Sequence, residues 1–507
     1  MKKKLLSVLL ATGMIVSMAG CGSDPSSDGG GSSAGKPEEI TILVDGTVFT
    51  KPNAQKEFIA KLEEKLGIKI NVIQPDHDDY YNNVSQIFAG GDWPDVVILS
   101  STYYSGYAAE GVLWDMTDAW ENSELKQRQE AFNGAGVVEG MKIDGRLYGM
   151  PAARGNGCVT YVKKTWMDNC GITSVPTNYE EYLAMLEKFT TGDPTGTGKK
   201  TYAVTAAGFI GNEAPYINFL PEFYQDAYPS FYKKDDGTWV DGFTEDSMKK
   251  ALERLRDAVA KGYLDKETLS NGTGDCRNKF YSDDFGIFTY WAGTWATNLK
   301  TNLENNKLSG ELVALPPIAE VGAYLDRIPP VWSITTQCKN PEGVFKYFIE
   351  PMQDGGEVQF LWTYGVEDIH WSRAAETIYA GTEKEKVYTE GQFHGRDNLE
   401  NPGTQYTKAH IDPALALVDL AGDPAKESRP AENTASAQLF ATNSVTAVLV
   451  PSTDVMTQYN GDLTTLKKEL IAKVALGEMT IEEAYAKFEK DGGADWSKKI
   501  VDSLNAK

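Results

Sequence analysis

The stretches of this chain that look most like catalytic devices each fail on their surroundings. Gly31-Ser-Ser-Ala-Gly35 satisfies the Gly-x-Ser-x-Gly pattern literally. A nucleophile elbow needs a strand before the serine and a helix after it, and this stretch has neither. Asp193-Pro-Thr-Gly-Thr-Gly198-Lys199-Lys200 looks like a phosphate-cradling loop. It opens on Asp, closes on Lys rather than Ser or Thr, and follows a helical pattern instead of a strand. The four histidines, His77, His370, His394 and His410, show no metal spacing and no His-Glu-x-x-His, so the pattern offers no catalytic zinc. Paired carboxylates for glycoside hydrolysis depend on spatial separation, and 72 acidic residues leave that one enzymatic reading open. What remains is binding chemistry, for which 11 Trp and 25 Tyr supply flat apolar faces with polar edges.

Such groups need a frame, and the sequence supplies an α/β one. Residues 40–44, 68–73 and 96–99 are short apolar runs that read as strands. Between them, Phe58, Ile59, Leu62 and Leu66 share one helical face that starts at Pro52 and Asn53 and ends at Gly67. A second helix over 80–89 turns Val84, Ile87 and Phe88 inward. This βαβαβ order implies a parallel sheet covered on both faces, with ligands held beyond the carboxyl ends of its strands. Asp45 and the run Ser100-Ser101-Thr102-Tyr103-Tyr104 fall at those ends. Thr177 with Glu180 reads as a capping box, and so does Thr480 with Glu483, ahead of Ala484, Tyr485 and Phe488. Met248, Leu252, Leu255 and Val259 follow Thr244 at helical spacing. These stripes are core.

The amino-terminal residues fit an export signal. Lys2, Lys3 and Lys4 precede an apolar stretch, residues 5–16, of about 12 residues, too short to span a bilayer. Val16-Ser-Met-Ala-Gly-Cys21 then resembles the bacterial lipobox, whose cysteine becomes the lipidated terminus after cleavage. Residues 22–35 are nearly all Gly, Ser, Asp, Ala and Pro, a flexible tether. The body that follows, about 470 residues, is long enough for two or three domains. The formal net charge of −23 argues against nucleic acid or anionic lipid as a partner. It also disfavours a polyanionic ligand unless a local basic pocket reverses the sign. Cys158, Cys170, Cys276 and Cys338 lack Cys-x-x-Cys spacing. Disulfides and free thiols are both open.

From residue 40 onward the chain resembles the extracellular solute-binding proteins of family 1, the group that includes the maltodextrin-binding proteins. Gly91-Asp-Trp-Pro-Asp-Val-Val-Ile-Leu99 is similar to the family's Gly-x-x-Pro-Asp-Val strand, and Tyr107-Ala-Ala-Glu-Gly-Val-Leu113 to the helix and turn beyond its ligand-contacting loop. Asp144-Gly-Arg-Leu-Tyr-Gly-Met-Pro151 resembles the hairpin that leads, through residues 161–176, into a second lobe. Gly286-Ile-Phe-Thr-Tyr-Trp-Ala-Gly-Thr-Trp295 resembles the strand and loop whose last tryptophan stacks on a sugar in carbohydrate-binding members. Pro330-Val-Trp332-Ser-Ile with Pro341-Glu-Gly-Val-Phe-Lys-Tyr347 is similar to the return crossing and its helix. Tyr364-Gly-Val-Glu-Asp-Ile-His-Trp371 and Ala475-Leu-Gly-Glu-Met-Thr-Ile-Glu-Glu483 resemble segments of the longer lipoprotein members. Many of those members carry an EF-hand-like calcium loop. Here Thr195, Thr197, Lys199 and Thr201 leave one acid, Asp193, so no calcium is expected.

The resemblance implies a two-lobed α/β fold of the periplasmic-binding type (type II), each lobe a mainly parallel sheet flanked by helices. The expected lobes are residues 38–157 with 329–434 and residues 158–328 with 435–507. It further implies a binding protein, not an enzyme, serving an ABC importer from the outer face of a Gram-positive cell membrane, lipid-anchored at Cys21, monomeric and without cofactor or metal. The ligand expected is an oligosaccharide, with a peptide or an acidic sugar as alternatives. Trp295 is the expected stacking platform and Trp291 a second. Arg154 would bind hydroxyls or a carboxylate, or form a salt bridge between the lobes. Tyr103, Tyr104 and Trp332 flank the expected cleft, Asp45 would accept from hydroxyls or cap a helix, and Glu367, with His370 and Trp371, sits in a polar aromatic turn.

Overall fold

Three β-branched runs become parallel strands, β1 (Glu39–Leu43), β2 (Lys69–Ile73) and β3 (Val96–Leu99); β1 and β3 are largely buried, whereas β2, at the sheet edge, buries only Ile70. The computed structural model describes residues 35–45, 51–76, 79–128, 135–210, 220–383, 385–396, 411–413, 415–426 and 429–506. The export signal, Cys21, His77 and His410 lie outside the described residues. Helix α1 (Gln55–Leu66) buries Phe58, Leu62 and Leu66 and stops at Gly67, whose φ of 62° suits a residue without Cβ. It begins three residues after Pro52, because a single 3-10 turn, Lys51–Asn53, comes first. Helix α2 is Tyr80–Gly90, and α3, Ser101–Ala109, starts directly beyond β3.

The chain then leaves the first lobe through β4 (Met150–Pro151) and enters the second through β5 (Cys158–Lys163). Helix α4 (Tyr179–Thr191) is capped one residue later than Thr177. Asn178 accepts from the Glu181 N–H, while Glu181 reaches back to both the backbone and the hydroxyl of Thr177. Asn caps better than Thr, and the box moves with it. Strand β6 (Tyr202–Val204), the hairpin β7 (Phe231–Lys233) and β8 (Trp239–Asp241), α5 (Asp246–Ala260) and α6 (Thr273–Tyr281) follow. Next come β9 (Phe285–Trp291), α7 (Thr294–Asn305), β10 (Leu312–Leu315) and β11 (Tyr324–Asp326). Strand β12 (Val331–Ile334) returns to the first lobe, which α8 (Glu357–Tyr364) helps to cover. Helix α9 (Ala431–Thr442), β13 (Ser444–Thr446), α10 (Asp454–Ala475) and α11 (Ile481–Lys490) complete the elements used below. The Thr480–Glu483 capping box is present as the sequence indicates.

The first sheet has the order β2-β1-β3-β12-β4, and only β12 runs against the rest. The second has the order β10-β5-β9-β6, and only β5 is reversed. The reversed strand is in each case the one entered from the other lobe. Val331 lies beside Leu99 at the end of β3, and Cys158 beside Trp291 at the end of β9. Both crossings therefore connect the carboxyl ends of the two sheets. Each sheet has its own core, around Ile42, Phe58, Val97 and Trp362 in the first lobe, and around Val162, Trp166, Leu252, Ile287, Leu470 and Phe488 in the second.

Buried ionisable groups tie the second lobe together. Lys467 of α10 meets Asp241 of β8 at 2.6 Å and the Pro229 carbonyl at 3.2 Å. Glu222 accepts from the Thr160 hydroxyl at 2.6 Å, and its other oxygen has no donor among the described residues. Burial pushes that carboxyl up to about 7.

Candidate functional site

The carboxyl edge of the first sheet gathers Asp45, Tyr81, Ser100 and Tyr103. Tyr81 and Tyr103 stack with ring centres 4.3 Å apart and planes at 13°. The Tyr81 phenol is hydrogen-bonded to Ser100 and lies near Asp45, and burial raises its pKa. The Asp45 carbonyl accepts from the Gln74 amide at 3.2 Å. Tyr103 also lines an interlobe groove of about 470 Å³, together with Tyr107, Ile328, Val450, Met456 and Asn460. Both lobes and the crossing contribute to that wall.

Two expected residues belong to the core instead. Tyr104 is fully buried, donates to the Met141 carbonyl at 2.8 Å and accepts from the Tyr148 N–H at 3.1 Å. Because α3 begins at Ser101, neighbours 103 and 104 point about 100° apart, and only one of them faces outward. Trp332 is 4% exposed and packs edge-on against Trp362 and Phe348 at 5.7 and 6.2 Å. It stands in a strand covered on both faces.

The second lobe meets the crossings at the end of β9. Trp291 is buried there with the Arg327 guanidinium 4.5 Å above its ring centre. Trp295, half-buried in the first turn of α7, lies edge-to-face with Tyr290 at 4.8 Å and has the Arg277 guanidinium over its ring at 5.1 Å. The preceding hydroxyl, Thr294, donates to Asp412 at 2.5 Å. The Gly293 N–H donates to Ser436 at 2.9 Å, beside Asn433, whose side-chain oxygen is enclosed without a donor among the described residues.

Arg154 lies on the first crossing, where its N–H donates to the Leu415 carbonyl at 2.8 Å. The crossings touch directly. Arg327 N–H donates to the Asn156 carbonyl at 2.9 Å, and Asp326 stands beside Thr446 in the β11–β13 pair. Gly155 is required at this point, since a Cβ would fall within the Asp326 carboxylate. That carboxylate has one oxygen buried without a donor among the described residues. Burial pushes it up to about 7, against the pull of Arg327 and then Arg154.

The structure places Trp291 and Arg154 at the crossings, both beside the Asp326–Arg327 pair, and Trp295 four residues beyond Trp291 at the start of α7, while Asp45 and Tyr103 flank Tyr81 at the strand ends of the first sheet. Glu367 is elsewhere. It is exposed, on a separate depression of about 290 Å³ lined by Lys61, Phe360 and Trp371. His370 beside it is structural, accepting from the Val366 N–H at 3.0 Å and pairing with the Asn53 carbonyl at 2.8 Å. Burial lowers its pKa, so the ring is neutral. Asp326, Arg327, Arg277, Asp412 and Tyr81 were missed. The doubled tyrosine after Asp79 and the Arg327-Ile-Pro-Pro run were available signals, whereas Asp412 follows no periodicity.

The Asp193 loop closes on itself. The carboxylate accepts from the Thr197 and Gly198 N–H groups at 3.0–3.1 Å and from the Thr195 hydroxyl at 3.2 Å. Lys199 extends from it to Asp284 at 2.5 Å and the Ser282 carbonyl at 3.0 Å. No three His, Cys, Asp or Glu side chains gather as a metal site among the described residues. None of the four body cysteines is joined in a disulfide among the described residues.

Two α/β lobes with crossings between the carboxyl ends of their sheets, and aromatic and charged side chains gathered at those ends, define a two-lobed solute-binding protein. Residues 47–349, more than half of the chain, match the bacterial extracellular solute-binding protein family, and the chain belongs to it. This is a family of binding components, not of enzymes. Lipoprotein LipO of Bacillus subtilis is 22% identical over 275 residues, 53% of this chain and 52% of its own. The diacetylchitobiose binding protein DasA of Streptomyces coelicolor is 26% identical over 334 residues, covering 63% and 71%. The match thus spans about half the length of LipO. The Streptococcus pneumoniae substrate-binding protein FusA, solved in complex with kestose, superposes with a TM-score of 0.61 at 16% identity, over 92% of this chain and 99% of FusA. Among the described residues no helix is long and apolar enough to cross a membrane.

Proposed function

We propose that this protein is the lipid-anchored extracellular binding component of an ABC importer, and that it captures an oligosaccharide between its lobes. The observation that carries the reading is the pair Trp291 and Trp295 at the carboxyl end of β9, where the crossing enters the second lobe. Indole faces suit the C–H faces of sugar rings, and the surrounding arginines and acids suit a rim of hydroxyls. Trp295 is the main platform, Trp291 the second, and Arg154, Tyr103 and Asp45 supply polar contacts. Tyr104, Trp332 and Glu367 are outside this site. The lobes would move as residues 38–157 with 329–434 and 158–328 with 435–507, the second seam falling inside the first turns of α9 (Ala431–Thr442). Closure needs only higher affinity of the ligand for the closed form, which a permease then recognises. The names of DasA and FusA, which bind diacetylchitobiose and fructooligosaccharide, and the lipoprotein name of LipO support this role.

A thermal-shift screen against mono- and oligosaccharides and peptides tests it. A ligand present at about 100 times its dissociation constant adds about 2.7 kcal/mol of stability. A shift with one oligosaccharide class that disappears in Trp295→Ala supports both function and platform. A response to peptides alone sinks the carbohydrate reading.

A further inference from the structure

We propose that the interlobe groove is the reverse side of the hinge, kept free by Gly106 and Gly461, and that side-chain volume placed there drives the lobes to close. The inference rests on the two-lobed closure proposed above and makes no use of the ligand class.

Strand β11 and the return crossing it leads into run down the middle of a narrow ribbon. On one side the Asp326 carbonyl accepts from the Ala447 N–H at 3.0 Å, just beyond β13. On the other the Arg327 N–H donates to the Asn156 carbonyl of the first crossing at 2.9 Å. Successive side chains of extended backbone point to opposite faces. Arg327 reaches the Trp291 ring, 4.5 Å from its centre. Ile328, which the following Pro329 biases to extended backbone, lines the groove of about 470 Å³ with Ala447, Val448 and Val450. Trp291 and the groove therefore lie against opposite faces of the ribbon. A rotation about the crossings that brings the lobes together over Trp291 parts them at the groove.

The groove has one wall from each lobe. Helix α3, directly beyond β3, supplies Gly106 and Tyr107, and α10, whose Leu463 and Leu470 belong to the second core, supplies Met456, Asn460 and Gly461. At its floor the Ser105 hydroxyl donates to the Val450 carbonyl at 3.1 Å and accepts from the Ser452 N–H at 2.7 Å, which pins α3 to the chain leading into α10. Gly106 and Gly461 stand inside their helices, where glycine is the poorest residue after proline. A Cβ at either would meet nothing within 4 Å among the described residues. Packing in this arrangement therefore does not call for glycine. The arrangement in which the lobes swing open over Trp291 does, because the two walls then approach each other. Bulk at these positions penalises that open form and spares the closed one.

Small-angle X-ray scattering of the full mature chain, without ligand, tests the proposal. Gly461→Trp and Gly106→Trp should each raise the ratio of closed to open form about tenfold, the size of an overpacking penalty. The radius of gyration should fall in each and fall further in the double variant. Gly461→Ala, whose methyl group fits the existing space, should leave the radius at the parent's value. So should Gly90→Trp, at an exposed glycine ending α2 outside the groove. Both groove positions have room for a side chain, and circular dichroism checks that the variants are folded. Unchanged radii in both tryptophan variants overturn the inference, as does equal shrinkage in Gly90→Trp. A larger radius in a folded groove variant puts the groove on the closing side and overturns it too. None of these outcomes bears on the oligosaccharide reading, which the saccharide screen decides separately.

Discussion

Adding one methyl group at Gly155 probes the point where the crossings are most tightly packed. The new Cβ would lie within the Asp326 carboxylate, which is 9% exposed. Neither backbone can easily retreat. Arg154 is hydrogen-bonded to Leu415 at 2.8 Å, Arg327 to Asn156 at 2.9 Å, and the Asp326 carbonyl accepts from Ala447 at 3.0 Å. Either the carboxylate rotates away from Arg154 and Arg327, or the crossings part. Overpacking of this kind costs about 1–3 kcal/mol. Asp326→Ala removes the obstacle together with a carboxylate oxygen that has no donor among the described residues, so alone it should be mild. The double variant Gly155→Ala/Asp326→Ala should then recover most of the loss, a coupling of about 1 kcal/mol or more. Urea unfolding of the parent, the two single variants and the double variant measures the cycle, and ligand affinity measured alongside reports on hinge closure. A Gly155→Ala protein within about 0.5 kcal/mol of the parent, or additive losses in the double, would refute the packing argument.

Glu222 makes stability pH-dependent. Its carboxyl is raised to about 7 in the fold, so the folded chain holds a proton that the unfolded chain releases near 4.5. The stabilisation is present below about 4.5 and lost as pH rises to about 7, by at most about 3 kcal/mol. Glu222→Gln should flatten that limb and exceed the parent at pH 8 in urea midpoint. Equal pH slopes in parent and variant would contradict it. For the Asp193 loop, chelator or added calcium should move the unfolding temperature by less than about one degree, and a rise of several degrees with calcium would show a bound ion.

Much of the frame was legible because burial leaves periodic traces. The runs at 40–44 and 96–99, the stripe Phe58–Leu62–Leu66 and the Thr480–Glu483 box all stand where patterning places them. Patterning was weaker where two good solutions are adjacent, as with Thr177 and Asn178. The order of motifs pointed to the crossings, and through them to Trp291, Trp295 and Arg154. Exposure was the part that sequence could not resolve. Tyr103 and Tyr104 are chemically identical neighbours, and only the start of α3 at Ser101 decides which faces the groove. Trp332 had the right residue type at a crossing, yet strand β12 turns it inward. Asp412 and Arg277 come from segments far apart in the chain, and only the folded chain places them near Thr294 and Trp295.

The second lobe is built from both sides of an excursion into the first. Val162 and Ile287 share a core with Leu470, Phe488 and Leu504, so its sheet cannot be sealed until the last helices of the chain arrive. The first three strands of the other lobe, by contrast, pair with near neighbours in sequence. Long loops must close before distant contacts form, and such contacts slow folding. The two halves should therefore mature in order, with β1–β3 gaining amide-exchange protection first. The sheet around β9 should become protected only when α10 docks, which leaves it the half more exposed to aggregation and proteolysis during assembly.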